Sequence, residues 1–209
     1  MSNFDELVKL RRSAMKFQTD VEISQQELAE MFRMTSFAPS CYNLQHTHYA
    51  AVTDPELKLQ LKEAAFGQHK VVMSSAAIIV LGDVEAHKKG DEIYGGMLNL
   101  GMFSQLDYDL MLKMVEDLYE SRGSAFAHEE AVRNASLSAM LFMLIAKDRG
   151  WDTCPMIGFD PAKVKEILNI PDHLVPVLMI TLGKEDTSKQ RPRGYRKPVN
   201  EFVTFGKFS

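Results

Sequence analysis

The apolar positions of the 209-residue chain alternate between two regimes, helical spacing and short continuous runs. Phe4, Leu7, Val8 and Leu10 recur at helical spacing, so residues 3–12 are expected to form a short helix with Asn3 as N-cap. Ser24-Gln-Gln-Glu27 has the form of a capping box and opens a second helix, striped by Leu28, Met31, Phe32 and Thr35 and closed by Pro39. Asp54-Pro55 starts a third helix that runs to about Ala65. Leu106, Leu110, Met111, Met114, Val115 and Leu118 give residues 104–121 an amphipathic helical face. Residues 129–148 form the strongest helix; it is apolar nearly all round between Ala135 and Ala146 and belongs in the centre. Its small residues Ala135, Ser136, Ser138 and Ala139 permit close helix–helix contact. Asp160-Pro161 starts a last helix, to about Leu168.

The continuous runs read as strands. They are His48–Val52, Ser75–Leu81 and Val175–Leu182, with Asp152–Met156 as a short extended fourth. Residues 67–70 form a polar loop, and residues 84–102 show no readable period. Four strands and six or seven helices, not segregated along the chain, give an α+β class. There is no internal repeat, and the length suits one domain, residues 1–209, whose residues 184–209 form a charged, turn-rich tail with Arg191, Arg193, Arg196 and Lys197 clustered.

Composition narrows the classes. The 24 basic and 28 acidic residues give a formal net charge of -4, which argues against nonspecific nucleic-acid binding. Two cysteines form no disulfide framework and no CxxC pair is present. The start MSNFDELVKLRRS lacks a signal-peptide pattern, and the longest uncharged apolar stretch, residues 134–146, is short of the roughly 20 residues of a membrane span. A soluble cytoplasmic protein is expected. The 13 methionines fit a plastic core.

Chemistry is confined to three segments. There is no Ser-His-Asp ordering, HExxH, Walker loop or GxGxxG. His46 and His48, two apart, face one way on a strand, but lack a third ligand and read better as a half-buried polar edge than as a metal pair. Arg11-Arg12-Ser13-Ala14-Met15-Lys16-Phe17 places two guanidinium groups and a hydroxyl at a helix end, as either a phosphate clamp or compensation of the helix C-terminus. Ala38-Pro39-Ser40-Cys41-Tyr42-Asn43-Leu44-Gln45 can present amides to a polar heterocycle or serve as turn chemistry. Cys154-Pro155-Met156-Ile157-Gly158-Phe159-Asp160-Pro161 carries a glycine that lets backbone N–H groups approach a ligand, or is an ordinary helix start. Cys41 reads better as a packed residue than as a redox thiol.

Together, in order and spacing, these segments resemble the nitroreductase family of FMN-dependent NAD(P)H oxidoreductases. The three segments are similar to its RRSxRxF, APSxxNxQPW and PxxGFDP stretches, and Gly194-Tyr-Arg-Lys-Pro198 resembles its C-terminal RxP element. The resemblance spans Leu7 to about Val203. It implies an α+β homodimer with a central, mostly antiparallel sheet flanked by helices, FMN at the subunit interface, and tails that embrace the partner. By the same resemblance, Arg11 and Arg196 would hold the FMN phosphate, and Arg12 and Ser13 the ribityl and pyrimidine side. Pro39, Ser40 and Asn43 would come from the other subunit, with Gln45 supporting their loop. Pro155, Met156, Ile157 and Gly158 would line the dimethylbenzene and N5 side, an amide of Ile157 or Gly158 facing N5, and Gln68 and Lys70 would sit in a second flavin-edge loop.

The chain departs from the family where Met15 replaces a cation, leaving Lys70, or less directly Lys16, to supply that charge. Ile157 replaces a glutamate of some members, His46-Thr47 replaces Pro-Trp, and Gly194 replaces a lysine for which Arg193 could substitute. The resemblance implies NADH or NADPH as donor, hydride transfer through flavin N5, ping-pong turnover and a small-molecule acceptor, nitroaromatic or quinone. No side-chain acid or base is needed. Phe103, Tyr108 and Phe126 either stack on that acceptor or pack in the core or dimer. Rival readings are a flavin-binding module without turnover, a flavin-dependent reductase such as a dehalogenase or a flavin-fragmenting enzyme, and a domain with no cofactor.

Overall fold

The computed structural model describes residues 4–189 and 192–208. Seven α-helices lie among them: α1 (Phe4–Leu10), α2 (Gln25–Thr35), α3 (Pro55–Ala64), α4 (Lys70–Met73), α5 (Gly90–Asn99), α6 (Gln105–Asp148) and α7 (Pro161–Leu168). Four strands, β1 (Thr47–Val52), β2 (Ala76–Asp83), β3 (Asp152–Met156) and β4 (Leu174–Gly183), form one sheet in the order β1-β2-β4-β3. Every neighbouring pair is antiparallel. The α+β class is as the pattern predicts, and the antiparallel sheet is as the resemblance implies.

Local chemistry sets most boundaries. Ser24 Oγ accepts from Glu27 N at 3.1 Å, Asp54 Oδ1 from Leu57 N at 2.8 Å, and Asp160 Oδ1 from Ala162 N at 3.0 Å. The capping box expected at Ser24 is not reciprocal, because Glu27 Oε1 instead accepts from Trp151 Nε1 at 2.6 Å. A reciprocal box is found at Ser104 and Asp107, which opens α6. The two helices expected over 104–121 and 129–148 form one run broken at Gly123, where φ 73° and ψ -173° interrupt the helix. The unreadable stretch 84–102 holds a 3-10 turn (Ala86–Lys89) and α5. The polar loop ends in the short α4.

All eight residues of β2 are buried, so both of its faces carry core. Ile78 and Val80 pack with Leu28, Met31, Ala135, Ala139 and Phe142, which places α2 and the second half of α6 on one face. Ala77, Ile79 and Leu81 pack with Leu61, Val71, Met179 and Val164, which places α3 and α7 on the other. The small residues of α6 bring it onto the sheet as well as onto α2. At Gly82 a Cβ would lie 2.7 Å from the Ala131 carbonyl oxygen, so only glycine lets the helix backbone come that close. A third cluster, with Leu44, Tyr94, Val115 and Tyr119, sits under α5 and the first half of α6.

Prolines fall where the ladder allows them. Pro155 lies on the edge strand β3, and Pro176 pairs beside the bulge between Val80 and Leu81. No helix among the described residues is long and apolar enough to cross a membrane.

Candidate active site

The edge of β3 gathers most of the expected site. Chain 11–17 leaves α1 and runs beside β3. Ser13 bridges Thr153 in parallel, and Ala14 N donates to Thr153 O at 3.0 Å. Fully buried Ala14 and nearly buried Phe17 anchor the segment, while Met15 is exposed. Arg11 and Arg12 are thereby fixed at one end of the edge, as a built position rather than a frayed helix end.

The tail brings more cations to that end. Arg193 Nη2 donates to the Arg11 carbonyl at 3.1 Å and also to the Lys9 carbonyl. Burial lowers the Arg11 pKa first, and the like charges of Arg193 and Arg196 lower it further. An anion placed among these guanidinium groups would relieve the repulsion. Arg193 stands beside Arg11 as the substitution of Gly194 implies. Arg191 lies outside the described residues.

At the other end, Lys70 Nζ lies 3.4 Å from Cys154 Sγ, and Gln68 Nε2 donates to the Gly158 carbonyl at 2.7 Å. A Cβ at Gly158 would meet Gln68 Nε2 at 3.2 Å, so glycine keeps this corner open. The Ile157 and Gly158 amides donate in no backbone hydrogen bond given for the described residues, and the Ile157 side chain is 78% exposed. Pro155 and Met156 end β3 just before them, although the Met156 side chain turns into the core. Four contacts, Arg193 to Arg11, Ser13 to Thr153, Lys70 to Cys154 and Gln68 to Gly158, therefore bring these segments together along the edge.

The 38–45 segment lies elsewhere in the same chain. It is held by the helices of the third cluster. Cys41 N donates to Asn134 Oδ1 at 2.8 Å, Tyr94 Oη donates to the Tyr42 carbonyl at 2.5 Å, and Ser40 Oγ accepts from Gln45 N at 3.0 Å. Tyr42, Asn43 and Gln45 all take positive φ, 51°, 54° and 50°. Such conformations cost about 1–3 kcal/mol each outside glycine and persist only where neighbours enforce them. Pro39, Ser40 and Gln45 also line a cavity of about 150 Å³ with Phe32, Tyr49 and Ser138.

Some residues acquire roles the motifs do not suggest. His46 is fully buried, and its Nε2 lies 2.8 Å from Tyr119 Oη. His48 instead lies 3.6 Å from Asp83, and no group of three or more His, Cys, Asp or Glu among the described residues could hold a metal. Phe103, Tyr108 and Phe126 all pack against the third cluster. The motif gives Cys154 no role, and only the fold sets Lys70 against it. Tyr94, Tyr119 and Asn134 carry no sequence signal, because their partners are 52 to 93 residues away.

Comparison with known proteins identifies the family and the fold. The model of the Nitroreductase family matches residues 8–184. MhqN of Bacillus subtilis (strain 168), named as a candidate NAD(P)H nitroreductase, is 54% identical over 205 residues, covering 98% of this chain and 100% of that protein. The crystal structure of the candidate nitroreductase ydfN from Bacillus subtilis superposes with a TM-score of 0.95 at 53% identity, covering 97% of this chain and 98% of that one. A candidate nitroreductase from Exiguobacterium sibiricum 255-15, solved in complex with FMN, gives a TM-score of 0.90 at 29% identity, covering 99% of this chain and 98% of that one. On its sequence, its fold and the layout of its three segments, the chain belongs to the nitroreductase family.

Proposed function

We propose that the chain binds FMN along the β3 edge and uses NADH or NADPH to reduce small nitroaromatic or quinone-type acceptors. Family membership makes it an oxidoreductase; the cofactor position, acceptor class and dimer are the proposal. The observation that carries it is the set of contacts that gathers segments 11–13, 68–70, 153–158 and Arg193 along one strand edge. The group it would hold has a dianionic phosphate at one end and a polar heterocycle at the other, and the residues fit both. Arginines that already repel one another meet the phosphate, and the free Ile157 and Gly158 amides meet the ring.

When bound, FMN supplies the redox chemistry, accepting hydride equivalents from the nicotinamide and releasing them to the acceptor. The protein's part is binding, orientation and charge. Arg11, Arg193 and Arg196 bind the phosphate, with Arg12 and Ser13 beside them. Lys70, anchored on Cys154, holds positive charge near the ring edge where Met15 offers none. Gln68 fixes the Gly158 carbonyl and so orients the adjacent amides. No side-chain acid or base is called for. Donor and acceptor share one open face, which gives ping-pong kinetics.

A second copy of the chain completes the site. The 38–45 loop is tied through Cys41 to α6 and through Tyr42 to α5 of its own chain, and Pro39, Ser40 and Asn43 on it would serve the partner's FMN, as the resemblance implies. The tail carries Tyr195, Val199, Phe202, Phe205 and Phe208 exposed to solvent, as an arm suited to a partner surface. We read residues 1–209 as one domain with this arm over 184–209.

The test is the visible spectrum of the purified protein, taken with NADPH and with NADH under anaerobic conditions. A flavin spectrum that bleaches, then recovers with a nitroaromatic or a quinone, is the expected result. Protein that takes up no flavin after added FMN overturns the reading, and bound flavin that neither donor bleaches overturns the activity.

A further inference from the structure

The Ala38–Gln45 loop is strained at three residues and yet held in one shape. Positive φ at Tyr42, Asn43 and Gln45 demands outside support. Three polar contacts supply it. Two reach the loop backbone directly, from Asn134 to Cys41 N and from Tyr94 to the Tyr42 carbonyl. The third holds the residue that ends the loop, through His46 Nε2 and Tyr119 Oη at 2.8 Å.

That third contact differs from the other two in being sealed from water. His46 is 0% exposed and Tyr119 is 4% exposed. The Tyr119 ring is stacked on His87, with centroids 4.3 Å apart, and meets Phe126 edge-on at 5.2 Å. Its hydroxyl is therefore fixed. The His46 carbonyl also accepts from Asp83 N at 2.7 Å, which ties the loop's end to central strand β2. His46 stands where the family motif has proline, so this polar pin takes the place of a residue that stiffens the chain by its ring.

We infer that Tyr119 and His46 are positioning residues for FMN binding, the buried hydrogen bond between them holding Pro39, Ser40 and Asn43 in the shape that the partner's cofactor requires. This rests on the proposed FMN site. Neither residue touches the cofactor; both act through the loop. Losing the hydroxyl leaves His46 Nε2 buried without a partner, and the loop relaxes toward ordinary φ values.

The experiment compares wild type with Tyr119→Phe, His46→Leu, the double variant and His46→Gln. FMN dissociation constants are measured by fluorescence, and amide exchange of residues 41–46 by mass spectrometry. In the two disruptive single variants the FMN dissociation constant rises about tenfold, and the loop amides exchange faster while β2 keeps its wild-type rates. The double variant is no worse than either single one, because both remove one interaction. His46→Gln, which can still place a polar atom near Tyr119 Oη, recovers most of the affinity. Wild type that binds no FMN overturns the site and this inference together. Wild type that binds FMN, beside a Tyr119→Phe chain with equal affinity and unchanged loop exchange, overturns this inference alone. Should His46→Leu fail to fold, the milder Tyr119→Phe and His46→Gln decide the matter by the same readouts.

Discussion

Charge placement decides the chemistry at the scale of single residues. Lys70 is held at the Gly158 end of the β3 edge, the end proposed to face the flavin ring, by Cys154 Sγ, whereas Met15, on the neighbouring segment, is 55% exposed and carries no charge. A cation near a flavin favours its reduced, more anionic form. Lys70→Gln is therefore expected to lower the midpoint potential of bound FMN, and Met15→Lys to raise it. Each shift should be about 30 mV or more, which for two electrons corresponds to ~1.4 kcal/mol. Equilibration with reference dyes measures both. Equal potentials in all three chains would assign the tuning to backbone donors instead. Lys70 was legible as a candidate because its loop resembles a family segment. Its sulfur partner was not, since 84 residues separate the two.

Among elements, the sequence showed what is local and hid what is paired. Ser24, Asp54 and Asp160 mark their helices because a cap needs only the next few residues. Three strands were readable from apolar runs and the fourth, Asp152–Met156, only as a short extended stretch, and their order was not readable, since order is set by contacts between faces. The cofactor segments were readable through a family pattern, whereas the supports of the 38–45 loop come from helices far along the chain. The break in α6 was visible only as a gap between two periodic stretches. Its cause is Gly123, and a contrast of glycines makes this testable. At Gly82 an added Cβ collides with the Ala131 backbone, so Gly82→Ala is expected to cost about 1–3 kcal/mol through overpacking. At Gly123 nothing lies within 4 Å of that Cβ, but φ +73° with ψ -173° is nearly exclusive to glycine, so Gly123→Ala costs about 1–3 kcal/mol by conformation alone. Gly96, inside α5 with open space around it, should behave oppositely, Gly96→Ala stabilising by about 0.5–1 kcal/mol. Urea midpoints at constant slope measure all three. A stabilised Gly123→Ala would contradict the helix break.

For the whole molecule, pH and the tail set stability and assembly. Burial pushes the His46 pKa down to about 4; Asp83 opposes the shift and His87 adds to it. Its Nδ1 is buried with no hydrogen-bond partner, so a proton there has nothing to meet. A histidine whose folded pKa lies below its ordinary 6.5 gives stability that is whole above pH 6.5 and falls as pH drops toward 4. About 3 kcal/mol is the expected loss between pH 7 and 4. Denaturation in urea at stepped pH shows it, and His46→Gln should flatten the slope over that window. A slope unchanged by the substitution would place the acid sensitivity elsewhere.

The tail divides into two functions that a truncation can separate. Arg193 and Arg196 lie against the first segment and its charge, whereas Val199, Phe202, Phe205 and Phe208 touch little of their own chain and are 58%, 65%, 91% and 89% exposed. Exposing so much apolar area costs hydration free energy that a partner surface would recover, at roughly 25 cal/mol per Å² covered. The complementary surface is on hand, since Leu106, Leu110 and Met114 make an exposed apolar line along α6. A chain ending at Pro198 keeps both arginines and loses the aromatic part of the arm. It should dissociate at protein concentrations at least tenfold higher than the full chain, as read by sedimentation velocity over a dilution series. On the proposed site shared between two copies, its FMN affinity should fall in step with dissociation and recover at high protein concentration. A shortened chain that remains as tightly associated as the full one would show that the arm's apolar residues are not what holds two copies together.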